Sequence, residues 1–585
     1  MKRWRRTSTA AGRSSWELAL RVGVACVCLS TLGCDRERHR DRDRPDAPIT
    51  GSDPMPAAPR DLGPPIGFRE VSHPALSGIR YQTGKEAGMN TILEIVGGGV
   101  ACIDFDRDGS CDLFFPGGGT LDPGKRRVSG APSTLLRGQP GLRWQDVTAS
   151  AGVMLDDLYS HGVAGTDFNQ DGFVDLLVYG YQGVRLLCNQ GDGTFRDVTQ
   201  DAGLDETSWT TAAAHGDLDG DGWPDLYLAS YVNWDFDTHV VCPTPDGRPD
   251  VCSPNAFDGS PDQILRGSAT GRFSKMSLED PPAPGRGLGV IIARAAAETG
   301  PFAFVANDQS ANFLFAGGPA GRLSEQGFLA GVAVDAAGNA NGSMGIALLD
   351  FDGDRRFDLV VTNFEHEQIA LYRNEGDTMF RHASRDVGLN TIDAAVVGFG
   401  VVAADWDGDG YEDLLLTSGH VQYHPDRGEI RQEPVLLRNL GGRAVRRERP
   451  SCGYFHRKSC GRGLALGDFN NDGSPDVVVT HLFEPPVVLQ SVPDPDHDWL
   501  RLELVGTESP RDPVGAIATL FFEDGTTQSR QHVAGGSYLS QSQQELFFRW
   551  RGQSIRSLQI DWPSGRQSRH ESLTPRTRTQ IVEPK

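Results

Sequence analysis

Six short acidic segments hold the residues of this sequence that are best suited to bind a metal ion. In each, Asp or Asn occupies positions 1, 3, 5 and 9 of a nine-residue loop, and five of the six have glycine at position 6. Ca²⁺ prefers six to eight hard oxygen ligands, and the glycine permits the sharp turn that folds the first three acids inward. We therefore predict about six bound Ca²⁺ ions. The predicted ligands are Asp104, Asp106, Asp108 and Asp112; Asp167, Asn169, Asp171 and Asp175; Asp217, Asp219, Asp221 and Asp225; Asp350, Asp352, Asp354 and Asp358; Asp405, Asp407, Asp409 and Asp413; and Asp468, Asn470, Asp472 and Asp476.

The loop that begins at Asp350 departs from this pattern. Arg355 occupies its sixth position and Gly353 its fourth, which predicts a distorted and weaker site. Six solvated acidic hairpins without metal are the alternative, which the sixfold recurrence of one frame disfavours. Because the loops are self-contained hairpin ends, we expect the ions to be structural and not catalytic. At a calcium level about tenfold above Kd, each site would stabilise the fold by roughly 1.4 kcal/mol.

Short apolar runs flank the acidic loops. Residues 399–404 precede the loop at Asp405 and residues 414–417 follow it, so this loop joins two buried strands. Each unit continues with a Leu-Leu-x-Asn-like strand and a further strand around Phe, and a unit spans roughly 50 to 75 residues. Four strands in each repeated unit are typical of propeller blades.

A seventh unit without acids lies in the long interval between the loops at Asp217 and Asp350, with strands at residues 287–293 and 302–306. The last unit stops near Gln490 without an outer strand, whereas residues 67–71 form an outer strand that precedes the first unit. Pairing of these two parts would close the ring and remove its exposed sheet edges. The sequence thus predicts an all-β fold, with a seven-bladed β-propeller over residues 66–496.

The two ends of the chain read as separate regions. Residues 497–585 alternate between strands and turns, which predicts a small β-sandwich docked on the ring. Residues 1–34 read as a signal peptide, with a basic start and an apolar core too short to span a membrane. Their end resembles a bacterial lipobox with Thr31 in place of the usual Leu, so lipidation of Cys34 and plain secretion both stay open. Residues 35–65 read as a disordered charged tether.

The repeated acidic loop and the C-terminal segments resemble two known families. The Asp-x-Asp-x-Asp-Gly-x-x-Asp loop and the Asp-Leu strand after it resemble FG-GAP (VCBS-type) repeats, as in integrin α-subunit propellers. The region from about His497 resembles the ASPIC/UnbV domain, and the pairing is similar to bacterial relatives of cartilage acidic protein. The resemblance implies an extracytoplasmic calcium-binding propeller and gives little guidance on ligand or reaction. The matching C-terminal segments are Trp499-Leu-Arg-Leu-Glu-Leu-Val505-Gly, Gly515-Ala, Gly535-Gly-Ser-Tyr-Leu-Ser-Gln541-Ser and Ile560-Asp-Trp-Pro-Ser-Gly565.

The sequence contains ten cysteines, whose pairing indicates the redox compartment of the protein. Export favours disulfides over metal binding, since no pair has the tight Cys-x-x-Cys spacing of a zinc site. Cys188 has no predicted partner, and we expect a buried thiol there. The insertion at residues 231–262 is expected to project from the third blade. The predicted disulfide pairs are Cys102 with Cys111, Cys242 with Cys252, and Cys452 with Cys460.

Polar residues that the repeats do not explain fall in the loops between the second and third strands, on the face opposite the metal loops. Three of the histidines follow corresponding strands in successive blades, so a transition-metal or polar-ligand site near the axis is one interpretation. Scattered polar loop residues are the other. The possible ligand-face residues are Asn307, Asp308, Glu365, His366, His420, His424 and His481.

These patterns favour a binding protein of the bacterial cell envelope, either lipid-anchored or secreted. We expect it to bind another macromolecule, protein or polysaccharide, without catalysis. A propeller enzyme, such as a polysaccharide lyase or hydrolase that uses the His/Glu cluster, is the alternative, and a scaffold subunit of a maturation or export system is a third. The net charge of −22 argues against nucleic acid. Ser537 and Ser540 have no paired base and read as turn and strand.

Overall fold

The computed structural model describes residues 65–585, except residues 206, 279, 318–321, 393 and 427. The predicted signal peptide, the lipidation site at Cys34 and nearly all of the tether lie outside the described residues. Strands dominate this part of the chain, which confirms the all-β prediction, and none of its helices is long and apolar enough to cross a membrane. Its short α-helices are Pro74–Ser77, Leu93–Val96, Thr148–Ala151 and Gly327–Ala330, and its 3₁₀ turns are Lys85–Ala87, Pro254–Ala256, Leu389–Thr391 and Gly453–His456.

Seven antiparallel sheets follow one another along the chain, and each has four strands that we name a to d in order of pairing. Sheet 1 contains Ala101–Ile103, Asp112–Phe115, Thr134–Gln139 and Arg143–Asp146; sheet 2 contains Tyr159–Thr166, Asp175–Tyr181, Gly183–Asn189 and Phe195–Asp197; sheet 3 contains Thr210–Gly216, Asp225–Ser230, Gln263–Arg266 and Ser274–Lys275; sheet 4 contains Gly287–Arg294, Pro301–Asn307, Phe313–Gly317 and Leu323–Glu325; sheet 5 contains Ile346–Leu349, Asp358–Val361, Ala370–Gly376 and Met379–His382; sheet 6 contains Gly398–Ala404, Asp413–Ser418, Val435–Asn439 and Val445–Glu448; and sheet 7 contains Gly461–Gly467, Asp476–His481, Val487–Ser491 and, as strand d, Phe68–Val71.

The outer strand of sheet 7 therefore comes from the N-terminal part of the described chain. Phe68 lies opposite Ser491 and Val71 opposite Val488. Phe68 also packs between Trp406 and Phe455, with ring centroids 5.6 and 5.4 Å away. Residues 67–71 thus pair with the last sheet, as the sequence predicts.

Strand a of each sheet packs against strand a of the next, and strand a of sheet 7 packs against strand a of sheet 1. Glycines permit this close approach. A Cβ at Gly400 would lie 2.6 Å from Leu464 Cβ, and one at Gly289 would lie 2.3 Å from the carbonyl oxygen of Met344. Each predicted metal loop connects strand a to strand b of its sheet.

Additional strands accompany sheets 2 and 3. Strand a of sheet 2 pairs with an extra strand, which in turn pairs with two more. The insertion after strand b of sheet 3 contains its own small hairpin. The added strands of sheet 2 are Gly118–Asp122, Arg127–Gly130 and Gln82–Thr83, and the hairpin consists of Cys242–Pro243 and Pro249–Asp250.

The C-terminal region folds into two further sheets that enclose their own apolar core. Leu502, Leu520, Trp550 and Trp562 are fully buried between them. A further short strand, Ala534–Gly535, leaves this region and pairs with strand a of sheet 4. One sheet contains Leu546–Arg551, His497–Val505 and Thr577–Val582, and the other contains Thr527–Gln531, Ile517–Phe522, Ile555–Asp561 and Gln567–His570.

Candidate functional site

The six acidic loops share one backbone conformation. In each, a carboxylate oxygen at position 1 accepts a hydrogen bond from the amide at position 6, over 2.8 to 3.0 Å. Arg355 takes the left-handed conformation that glycine takes in the other loops, with φ +68, and donates to Asp350 Oδ2 at 3.0 Å. The predicted distortion of this loop is therefore wrong, because arginine tolerates the turn; the weaker binding stays a prediction.

Carboxylate oxygens converge in four of these loops. In each group one oxygen from each of three acids lies within 4.8 Å of the others. Asp104 Oδ1 and Asp106 Oδ1, and likewise Asp350 Oδ1 and Asp352 Oδ1, are buried without a hydrogen-bond partner. Buried carboxylate oxygens without a donor are costly unless a cation satisfies them. The groups are Asp104, Asp106 and Asp108; Asp217, Asp219 and Asp225; Asp350, Asp352 and Asp354; and Asp405, Asp407 and Asp413.

The pKa values of these acids rise because they are crowded and withdrawn from water. Burial, followed by the nearby Asp405 carboxylate, raises the pKa of Asp407 to about 7 and that of Asp409 to about 8. Burial likewise raises the pKa of Asp350 to about 7. A divalent cation would favour the ionised forms. The donor set of hard oxygens fits Ca²⁺.

The acid at position 9 has a second role that the sequence did not reveal. Asp413 Oδ2 accepts from the Trp406 amide at 3.2 Å, and its Oδ1 accepts from the Asn439 amide in strand c at 2.9 Å. Asp112 does the same with the amides of Phe105 and Gly138. This side chain therefore joins the loop to strand c whether or not it also contacts an ion.

An arginine in strand c compensates part of the charge in four loops. It pairs with the acid at position 3, as Arg137 Nε does with Asp106 at 2.6 Å and Arg438 Nε with Asp407 at 3.3 Å. Where position 3 is Asn169 or Asn470, the corresponding strand residue is neutral. The four ligand positions and this residue thus sum to a formal charge of −3 in every loop. The strand residues are Arg137, Cys188, Arg266, Arg373, Arg438 and Gln490, of which Arg266 pairs with Asp219 and Arg373 with Asp352.

Sequence reasoning missed these arginines, although a signal was present. They occupy the variable position of the Leu-Leu-x-Asn-like strand, directly before the residue whose amide binds the acid at position 9. Correlating that position with position 3 of the loop would have found the pairing.

The C-terminal region contacts three of the acidic loops. Arg501 Nη1 lies 2.5 Å from Asp468 Oδ2, and Arg549 Nη1 donates to the carbonyl oxygen of Asp405 at 3.2 Å. Arg511 Nε lies 3.5 Å from Asp167 Oδ2. Each of these arginines sits beside position 1 of a loop. The C-terminal region therefore supplies positive charge next to the acidic loops and covers part of the face on which they lie.

A segment of this region, residues 534–543, inserts among the strands a. Its main chain exchanges hydrogen bonds with sheets 1, 2, 4, 5 and 7. Two examples are the amide of Cys102, which donates to Gln541 at 2.9 Å, and the amide of Ile346, which donates to Ser537 at 3.0 Å. The Ser537 hydroxyl donates to Leu464 and that of Ser540 to Tyr538. Both hydroxyls therefore bind main-chain carbonyls within the fold.

The predicted ligand-face residues separate into two groups. Asp308 and Glu365 line a cavity of about 280 Å³ on the face opposite the metal loops. His420 is buried beside them, and its Nε2 lies 3.3 Å from Glu365 Oε2. Asn307 is buried and holds its own loop by donating to Ala311 at 2.7 Å.

The other histidines do not converge. His481 Nδ1 contacts the Pro485 carbonyl at 2.8 Å and its Nε2 contacts the Tyr454 hydroxyl at 3.1 Å, so both nitrogens are already engaged. His366 is exposed, and His424 contacts Arg248. No group of metal-ligating side chains in the described residues includes His366, His420 or His481. Of the two interpretations, scattered polar loop residues fit the described chain better than a site shared by these three histidines.

One of the three predicted disulfides is present in the described chain. Cys242 and Cys252 are bonded and brace the insertion. The other two predicted pairs are not formed in the described chain, although the side chains of Cys102 and Cys111 lie next to each other. Cys111 Sγ contacts the Asp112 carbonyl and Cys460 Sγ that of Ile430. Cys188 is a buried thiol, as predicted. The free cysteines of the two unformed pairs are Cys102, Cys111, Cys452 and Cys460.

Comparison with known proteins assigns three segments of the chain. Residues 167–228 and 350–416 match the family described as FG-GAP-like repeat. Residues 506–585 match the family described as ASPIC and UnbV. The chain is therefore a repeat protein that combines FG-GAP repeats with a C-terminal ASPIC/UnbV domain.

The chain is homologous to cartilage acidic protein 1. It is 24% identical to the protein of Mus musculus over 473 residues, which cover 70% of this chain and 71% of the relative. It is 23% identical to that of Homo sapiens over 475 residues, which cover 70% and 69%. Among solved structures, the BP39L lectin of Burkholderia pseudomallei is 11% identical with a TM-score of 0.41, and covers 68% of this chain and 96% of its own. The predicted resemblance is confirmed by the family matches and the relatives.

Proposed function

We propose that this chain is an exported, calcium-stabilised β-propeller that binds another macromolecule, protein or polysaccharide, through the face opposite the metal loops. The observation that carries the proposal is the asymmetry of the two faces. The C-terminal region contacts three of the acidic loops with its arginines. The opposite face carries a cavity and a disulfide-braced insertion with exposed Val240 and Val241. An exposed apolar pair on a braced loop suits docking.

The proposed ring has seven blades over residues 66–496, with the ASPIC/UnbV-like domain over residues 497–585. Seven consecutive sheets, the packing of each strand a on the next, and the pairing of Phe68–Val71 with Val487–Ser491 support it. Calcium at the six acidic loops would offset their carboxylates. The buried oxygens that lack donors and the raised pKa values support this part.

Export to the cell envelope, by a lipid on Cys34 or by secretion, completes the proposal. The disulfide between Cys242 and Cys252 supports it, because such bonds persist outside the cytoplasm.

An enzymatic alternative loses its main support. A lyase or hydrolase built on the ligand-face histidines needs them close together, and in the described chain His366 is exposed while both nitrogens of His481 are engaged. No observation favours a scaffold subunit of an export system over direct binding.

Calcium is tested by thermal unfolding of the mature chain in calcium and in excess chelator. We expect a markedly lower melting temperature in chelator, because six sites at about tenfold above Kd contribute roughly 8 kcal/mol together. An unchanged melting temperature contradicts structural calcium.

Partner binding is tested by capture on protein and glycan arrays in calcium. Replacement of Val240 and Val241 by serine should reduce binding to any captured partner. Phe328→Ser is the matched control, because Phe328 is also exposed, at 69%, but lies in the helix Gly327–Ala330 after sheet 4. Equal binding by the two variants contradicts the assignment of this face.

A further inference from the structure

The cavity on the face opposite the metal loops has apolar walls drawn from many parts of the chain. Its floor is Tyr538, from the segment that the C-terminal region inserts among the strands a. The other walls come from the helix before sheet 1, the insertion of sheet 3, and the loops of sheets 4, 5 and 6. Its aromatic lining comprises Tyr231, Phe364, Phe399 and Tyr538. At about 280 Å³, it suits a small molecule or one long side chain better than a polymer segment.

Every charged side chain that lines the described cavity is acidic. Asp308 accepts from the Tyr231 hydroxyl at 2.7 Å, and Glu365 Oε2 lies 3.3 Å from His420 Nε2. Asp426 is the third acid. The walls therefore present carboxylate oxygens and aromatic faces, and both attract a positive charge.

The basic groups near the cavity do not line it. Arg462 lies 3.9 Å from the centre of the Phe399 ring and donates to main-chain carbonyls, including that of Ile95 at 3.0 Å. Arg286 donates to the carbonyls of Phe257 and Gln309. Burial lowers the pKa of His420, which favours its neutral form.

We propose that this cavity binds an organic cation, that is, an ammonium or guanidinium group on an apolar body. Glu365 and Asp308 supply the negative charge, and the aromatic walls hold the carbon skeleton. The cation is either a free small molecule or a lysine or arginine side chain of a bound protein. This site lies on the face proposed above for macromolecule binding, and its preference for a cation is tested separately from that binding.

Calorimetry on the mature chain in calcium tests the cation requirement. Phenethylammonium is compared with its neutral isostere 2-phenylethanol. We expect a Kd below about 1 mM for the cation and binding about tenfold weaker for the alcohol. Equal affinities, or no binding of the cation at about 10 mM, would overturn the proposal.

Two variants of the cavity acids locate the charge. Glu365→Gln and Asp308→Asn keep the shape of the side chains and should each weaken cation binding about tenfold, with little effect on the alcohol. Glu375→Gln is the matched control. Glu375 lies in strand c of sheet 5, the sheet whose strand b precedes Glu365, but its side chain is 51% exposed. An unchanged affinity in Glu365→Gln would overturn the assignment. If that variant melts early, Gln422→Trp, which narrows the cavity from its wall, must abolish binding instead.

A peptide arm separates the two sources of the cation. A short peptide with one lysine between apolar residues is compared with the same peptide carrying norleucine, which lacks the charge. Tighter binding of the lysine peptide than of phenethylammonium identifies a partner's side chain; the reverse identifies a small molecule. Loss of macromolecule capture with retained cation binding would remove the proposed function alone.

Discussion

Replacing Tyr538 by alanine tests whether the inserted segment stabilises the described fold. Tyr538 is 1% exposed, and its hydroxyl donates to the Val96 carbonyl at 3.0 Å. Its ring meets the edge of Phe399, with centroids 4.9 Å apart. Truncating a buried aromatic side chain costs about 3–5 kcal/mol, which we expect for Tyr538→Ala. Tyr538→Phe removes only the hydrogen bond and should cost about 1 kcal/mol.

Urea denaturation in saturating calcium, followed by tryptophan fluorescence, measures both values. Tyr538→Ala should lower the midpoint without changing the slope, since the surface exposed on unfolding stays similar. Phe328→Ala is the control, because its side chain is 69% exposed; a surface change of this kind stays within about 0.5 kcal/mol. If Tyr538→Ala costs less than about 1 kcal/mol, the segment does not hold the strands together and our account of it fails.

Three further predictions concern charge. Asp409→Asn should lower the melting temperature in calcium and change it little in chelator. Asp413→Asn should lower the melting temperature in both conditions, because Asp413 also binds strand c. Equal behaviour of the two variants would show that position 9 has no separate role. Arg438→Met should cost about 3 kcal/mol in chelator by leaving its buried acid unpaired, with a tighter calcium titration than wild type; a weaker titration contradicts charge compensation. His481 has a pKa near 6.5 in the unfolded chain, whereas burial lowers its pKa in the folded chain to about 4. The free energy of unfolding should therefore fall by roughly 3 kcal/mol as the pH drops from about 6.5 to about 4. His481→Gln should show a shallower loss over the same range.

The repeats made most of the fold predictable. The nine-residue frame located the a–b connections of six sheets, and paired apolar runs located the fourth sheet, which lacks acids. The unpaired strand at residues 67–71 predicted the partner of Val487–Ser491. Such features are local or periodic, so one sequence is enough to read them.

Contacts between distant segments were not predictable in the same way. Nothing local in residues 534–543 indicates that their carbonyls and amides meet five different sheets. The interpretation of three histidines as one site fits less well for a related reason: equal positions along successive strands do not fix where a side chain points, and His481 turns towards Tyr454. For Cys102 and Cys111 the side chains meet as the sequence suggested, but both remain free thiols.

The pairing of the first described strand with sheet 7 has a consequence for synthesis. Arg69 and Gln490 are hydrogen-bonded partners 421 positions apart, so the early strand must wait, solvated, until nearly the whole chain has been translated. The segment around Tyr538 arrives later still. A nascent chain interrupted before residue 487 would present open strand edges to its neighbours, so sheet 7 stays exposed to misplaced pairing until most of the chain has been made.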